Sequence, residues 1–246
     1  MKIGGIIDIS TKDIPHRSSM VIFTVGCNFK CGFCHNKYLL QPDVGKTYDI
    51  GELMKIISSN SLVSGVSISG GEPTLQNDLL ELCKEIYQLG KYLSIDTNGS
   101  RPEVIQKILP YISRVALDLK GPLNQQKLEK ITGVKVKVDD IIKTIDILNS
   151  HAEIDFEIRT TYVGELLTSG ELEEIITLLN QRQFKGTFVL QQYQFSEGVG
   201  EQFKEIFQKP EHDALLNILK PYKDHKFPFQ IFLRDEMVGY KSIDEI

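Results

Sequence analysis

Short β-forming runs alternate with amphipathic helical stretches along most of the chain, and this alternation limits the fold more than any other feature. The strand-like runs are Met20 to Val25, Gly65 to Ser69, Tyr92 to Asp96, Arg114 to Leu119, Asp155 to Thr161 and Thr187 to Gln192, with a last one at Phe229 to Leu233. The amphipathic stretches are Ile50 to Ser58, Gln76 to Leu89, Pro102 to Tyr111, Val138 to Asn149, Glu171 to Leu179 and His212 to Leu219. Such alternation builds βαβ units, whose right-handed crossovers lay the strands parallel. The 246 residues, 41% of them apolar, suffice for a packed core. No Pro-, Gly- or Ser-rich linker interrupts them. The expectation is one α/β domain of six βα units over residues 1–200, with a C-terminal extension, 201–246, packed on it.

Within the strands, apolar and polar residues take opposite faces. Leu93 and Ile95 oppose Ser94 and Asp96; Val115, Leu117 and Leu119 oppose Ala116, Asp118 and Lys120; Phe156 and Ile158 oppose Glu157, Arg159 and Thr161. The apolar face takes the helices. The other is too charged for a dry barrel core, so the strands are expected to form an incomplete barrel around a wet lumen. Polar motifs close successive strands: Cys27 to Cys34, Gly70-Gly71-Glu72, Asp96-Thr97-Asn98-Gly99, Asp118-Leu119-Lys120, Arg159-Thr160-Thr161 and Gln191-Gln192. In parallel α/β barrels that end of the strands binds ligands.

Three of the four cysteines are spaced Cys27-x-x-x-Cys31-x-x-Cys34, and the fourth, Cys83, reads as a small buried hydrophobe in a helix. Three thiolates on one short loop reach three corners of a cubane iron–sulfur cluster and leave the fourth iron open to a ligand. Phe33 is placed to shield such a cluster. The alternative is zinc held by three cysteines and a histidine. His35 adjoins Cys34, an awkward position for a shared tetrahedral ion, and there is no second ligand pair. Met1-Lys2-Ile3-Gly4-Gly5 is not the start of a signal peptide, so a cytoplasmic protein is expected. No apolar run is long enough to span a membrane, and 33 acidic against 28 basic residues argue against a broad nucleic-acid face.

The cysteine spacing, with an aromatic residue before the last cysteine, resembles the radical S-adenosylmethionine (SAM) superfamily, and Gly70-Gly71-Glu72 resembles its second motif. Gly26 to Asn36, Ser69 to Gln76, Asp96 to Gly99 and Asp118 to Lys120 resemble the glycyl-radical-enzyme activases in particular. Asp96 to Glu103 and Glu157 to Thr161 look nearest to the activating proteins of anaerobic ribonucleoside-triphosphate reductase. The resemblance implies a partial (β/α)6 barrel carrying a [4Fe–4S] cluster on Cys27, Cys31 and Cys34. It implies SAM chelated to the open iron and cleaved by one electron to methionine and a 5′-deoxyadenosyl radical, which abstracts a hydrogen atom. It implies that Asn36, Gly70, Gly71, Glu72, Asp96, Asn98, Lys120 and Arg159 bind SAM. It also implies a monovalent cation near SAM on Asp96, Thr97, Asp118 and the Ala116 carbonyl. Arg159 is expected to pair with the SAM carboxylate or with Glu157.

The expected function is therefore hydrogen abstraction from a glycine of a partner glycyl-radical enzyme under anaerobic conditions, with reduced flavodoxin or ferredoxin as electron donor. Two alternatives stand beside it: a radical SAM enzyme acting on a small molecule or RNA, and a non-catalytic zinc-stabilised binding module. The absence of further clustered cysteines excludes auxiliary clusters.

Overall fold

The computed structural model describes residues 1–196, 199, 203 and 205–246. They fold as two compact units, each assembled from three stretches of chain: Met1–Asn28, Asn36–Ala116 and Asp139–Asp155, then Phe29–His35, Leu117–Val138 and Phe156–Ile246. The boundary expected at 200/201 lies outside the described residues.

The first unit holds strands β1 (Lys2–Ile14), β2 (Arg17–Thr24), β3 (Lys46–Thr47), β4 (Gly65–Gly70) and β5 (Tyr92–Thr97), and the start of β6 (Arg114–Asp118). Their order is β3-β1-β2-β4-β5-β6. β2, β4 and β5 run parallel, with Ile22 beside Ile68 and Ile68 beside Ile95. β1 pairs antiparallel to β2 and to β3. Helices α1 (Ile50–Ser59), α2 (Leu79–Gln88) and α3 (Pro102–Ile108) follow strands as expected. A capping box starts α1: Asp49 accepts from the Glu52 amide, and Glu52 accepts from the Asp49 amide. The apolar faces of these helices supply Leu53, Ile57, Leu79, Leu82, Cys83 and Ile86, and the strands supply Val66, Ile68, Leu93 and Ile95, all at most 1% exposed. Cys83 is thus the core residue expected of it.

The second unit holds α4 (Gln125–Thr132), most of β7 (Asp155–Tyr162), α6 (Ser169–Gln181), β8 (Thr187–Gln192), α7 (His212–Leu219), β9 (Gln230–Asp235) and β10 (Gly239–Ser242); α5 (Val138–Asn149) precedes β7 and lies almost wholly in the first unit. Its strand order runs β6-β7-β8-β9-β10, parallel from β7 to β9 and antiparallel in the last hairpin. The 3₁₀ turn Lys220–Tyr222 follows α7. Val238 lies in the turn of the β9–β10 hairpin and Gly239-Tyr240 opens β10.

Two expectations change. β1, β3, α4 and β10 were not legible in the residue pattern. The polar strand face is also drier than expected: Ser67 and Ser94 are fully buried, and Arg114, 4% exposed, donates to Ser94 Oγ at 2.8 Å. A buried guanidinium is tolerable there because it is hydrogen-bonded. No helix among the described residues is long and apolar enough to cross a membrane.

Candidate functional site

In the first unit, the Gly-Gly pair is needed by the chain's own backbone. Gly70 has φ +113, and a Cβ there would come within 2.4 Å of the Thr24 nitrogen. A Cβ on Gly71 would come within 2.0 Å of the Gly26 oxygen. Without side chains, this turn packs onto the end of β2: the Gly71 amide donates to Thr24 O at 2.9 Å and the Glu72 amide to Gly26 O at 2.8 Å. Asn36 Nδ2 donates to Gly70 O at 3.4 Å. The residue leading into Cys27 and the second motif are thereby fixed to one another.

Glu72 is 1% exposed. Its carboxylate accepts from the Thr74 amide, Thr74 Oγ1 and Thr97 Oγ1 on one oxygen, and from the Asn98 amide at 2.7 Å on the other. Burial pushes its pKa up, against the pull of those donors. Expected as a SAM contact, Glu72 has its carboxylate engaged in joining the second motif to Asp96-Thr97-Asn98-Gly99. Asp96 accepts from Ser69 Oγ at 3.1 Å, and Thr144 on α5 pins the Gly99 carbonyl at 2.7 Å. Ser69 and Thr144 were not foreseen; a hydroxyl serving a backbone carbonyl from a distant helix leaves no spacing signal.

In the second unit, the cysteine loop rests on α4. The Lys30 amide donates to the Thr132 carbonyl at 2.8 Å, and α4 ends on Gly133 at φ +69. The Cys34 amide donates to the Cys31 carbonyl at 3.3 Å, closing a turn between the two ligand candidates. Aromatic rings wall this loop. Gly32 lies against Phe203 and Phe207, which stack at 5.4 Å; Tyr193 meets Phe207 edge-on, and His35 is 5.8 Å from Tyr193. Burial pushes the Cys31 thiol up to about 11, although Lys120 pulls the other way. Burial also holds His35 below its usual value.

Asp118, Lys120 and Arg159 meet in this unit. Arg159 Nε is 2.9 Å from Asp118 Oδ1 and 4.0 Å from Glu157, and Lys120 Nζ is 3.2 Å from Asp118 Oδ2. Arg159 therefore pairs with Asp118 more closely than with Glu157, whose carboxylate takes the Tyr240 hydroxyl at 2.9 Å. Desolvation opposes the charge on Asp118, but the two cations outweigh it and hold the pKa at about 2. Lys120 also lies 5.8 Å from the Phe33 ring centre. Gln192 is 2% exposed and tied to Pro210 O and the Glu236 amide, a structural role.

None of the four cysteines is in a disulfide. The three clustered ones are soft sulfur donors within eight consecutive residues, which suits a cubane, and in the second unit aromatics and the Lys120 charge surround Cys31. A cubane takes each thiolate on a different iron. Among the described residues, no three His, Cys, Asp or Glu side chains gather on a single metal ion.

Comparison with known proteins agrees with this chemistry. The profile of the Radical SAM superfamily matches residues 21–179. A protein of Methanocaldococcus jannaschii named "Putative glycyl-radical enzyme activating enzyme" is 33% identical over 232 residues, 91% of this chain and 93% of its own. The crystal structure of Streptococcus suis SuiB bound to S-adenosylmethionine superposes with a TM-score of 0.68 at 22% identity, over 88% of this chain and 50% of SuiB. This chain thus spans about half the length of SuiB. A domain of the pyruvate-formate lyase-activating enzyme from Bacteroides vulgatus gives a TM-score of 0.54 at 18% identity, over 68% of this chain and 98% of that domain. These likenesses bear out the α/β fold expected from the sequence, the partial barrel of the radical SAM type. The chain belongs to the Radical SAM superfamily.

Proposed function

We propose that this protein is a glycyl-radical-enzyme activase: it cleaves SAM reductively and takes a hydrogen atom from a glycine of a partner protein. The observation that carries this reading is the 33% identity to a protein named for that activity, over nearly the full length of both chains. The partner proposed is an anaerobic ribonucleotide reductase, with reduced flavodoxin or ferredoxin supplying the electron.

The bound cluster supplies the electron that breaks the SAM carbon–sulfur bond. Cys27, Cys31 and Cys34 hold it. In the first unit, Asn36 and the backbone of Gly70 and Gly71 are the proposed partners of the SAM amino group, and Asp96 and Asn98 its further contacts. In the second unit, Lys120 and Arg159 carry positive charge for its carboxylate. Asp96 and Thr97 in the first unit and Asp118 in the second carry the kind of oxygen donors a monovalent cation takes. Glu72 shapes the Asp96-Thr97-Asn98 turn on which those contacts depend.

The test is anaerobic reconstitution with iron, sulfide, SAM and a reductant, followed by mixing with a candidate reductase. An organic glycyl radical in the electron paramagnetic resonance spectrum supports the proposal. Production of 5′-deoxyadenosine with no radical on any glycyl-radical enzyme encoded in the same genome would redirect it to a small-molecule or RNA substrate. A colourless protein with stoichiometric zinc would end it.

A further inference from the structure

One amide side chain turns toward a cysteine sulfur. Asn98 Nδ2 lies 3.9 Å from Cys27 Sγ and 2.8 Å from Asn28 Oδ1. Asn98 is 6% exposed, so water does not compete freely for the amide.

The network fixes which end of that amide is nitrogen. Asn98 Oδ1 accepts from the Ser100 amide at 3.0 Å, a contact only an oxygen makes. Asn98 Nδ2 therefore donates to Asn28 Oδ1 at 2.8 Å, which leaves Asn28 Nδ2 to donate to Ser100 Oγ at 2.8 Å. Each amide therefore has one orientation, and Asn98 turns its N–H₂ toward the sulfur. Glu72 holds the backbone of this donor: its carboxylate takes the Asn98 amide at 2.7 Å and the neighbouring Thr97 hydroxyl at 2.8 Å. Glu72 and Asn98 thus form a chain from the second motif to the first ligand cysteine, all within one compact unit.

A hydrogen bond to a ligand sulfur withdraws charge from it. The reduced cluster carries one more electron than the oxidised one, so the donor stabilises the reduced form more and raises the reduction potential. We propose that Asn98, positioned by Glu72, is a hydrogen-bond donor to the Cys27 sulfur that raises the potential of the cluster Cys27 holds. This inference rests on Cys27 being a cluster ligand and is separate from the identity of the substrate.

The experiment is a redox titration of the reconstituted protein followed by visible absorbance and by the paramagnetic resonance signal of the reduced cluster. The variants are Asn98→Ala, which removes the donor, and Asn98→Ser, which replaces the amide by a hydroxyl one bond shorter, set back from the sulfur, and keeps an oxygen for the Ser100 amide. At a fixed solution potential, both should show a ratio of reduced to oxidised cluster about threefold below wild type, with iron and sulfide content unchanged. An unchanged or higher ratio overturns the proposal. Loss of iron or of the fold in both variants also overturns it, because Asn98 would then be a scaffold of the loop and not a donor to its sulfur. Cys27→Ala isolates the premise: a variant that keeps its full [4Fe–4S] content shows that the ligand assignment failed, whatever Asn98 does.

Discussion

At the scale of single residues, Glu72 stands in a motif that resemblance ties to SAM, and its carboxylate oxygens serve Thr74, Thr97 and Asn98. A motif shows which residue types recur at a spacing, and only the fold shows which atoms they serve. Glu72→Ala strands the Asn98 amide and the Thr97 hydroxyl, and should cost about 3 kcal/mol, or roughly 10 °C in Tm. Thermal denaturation of the apo-protein measures it, and a loss under 2 °C would refute the role. Asp118 makes a second case. Its pKa is held at about 2 against an ordinary 3.8, so the folded chain binds this proton more weakly than the unfolded chain does. The resulting stability is complete above about pH 4 and is lost as the pH falls toward 2. Because Asp118 is 33% exposed, screening reduces the gain to about 1 kcal/mol. Asp118→Asn should lose that amount at pH 7 and progressively less as the pH falls through 2. Denaturant midpoints taken in pH steps test this, and an acid slope equal to wild type would contradict it.

At the scale of elements, what was legible follows from periodicity. The runs 65–69 and 92–96 are short and apolar on alternate positions, 187–192 holds the apolar run Phe188-Val189-Leu190, and each forms a strand. β1 escapes because its register shifts between Ile7 and Ser10, which breaks the two-residue period and leaves Ile7 and Ile9 exposed. α4 escapes because Leu128 and Ile131 are its only large apolar residues; its better signals are Asn124 at the start and Gly133 at the end. That overlooked helix supports the cysteine loop, so part of the site was hidden with it. Gly133→Ala tests the support. The position has φ +69, and a Cβ would sit 3.2 Å from the Lys30 oxygen. The variant should lose about 1 kcal/mol, or roughly 3 °C in Tm, and should take up less iron on reconstitution. Gly133→Asn, which tolerates the left-handed conformation better, should recover part of both. Equal iron loading in wild type and Gly133→Ala would show that the loop does not depend on this helix end.

At the scale of the whole molecule, each compact unit is gathered from stretches far apart in the chain. The second unit is gathered from residues 29–35, 117–138 and 156–246, so chain distant from the cysteines in sequence belongs to the same packed body as Cys31 and Cys34. The last forty residues supply β9, hydrogen-bonded along β8 from Thr187 beside Gln230 to Gln191 beside Arg234, and then β10. Buried Leu215, Leu219, Ile231 and Leu233 come from the same region. Asp235 accepts from the Met237 and Val238 amides to form the last turn, and Gln192 reaches from β8 to the Glu236 amide. Removing these residues would uncover one side of β8 and the core behind it, a loss far larger than the few kcal/mol by which domains are stable. A chain truncated after residue 200 should therefore lack a cooperative thermal transition and fail to hold the cluster, even though every cysteine and every motif is retained. Circular dichroism melting and iron analysis of the truncated protein decide it. A sharp transition within 5 °C of the full chain, with full iron loading, would show that the fold does not depend on residues 201–246.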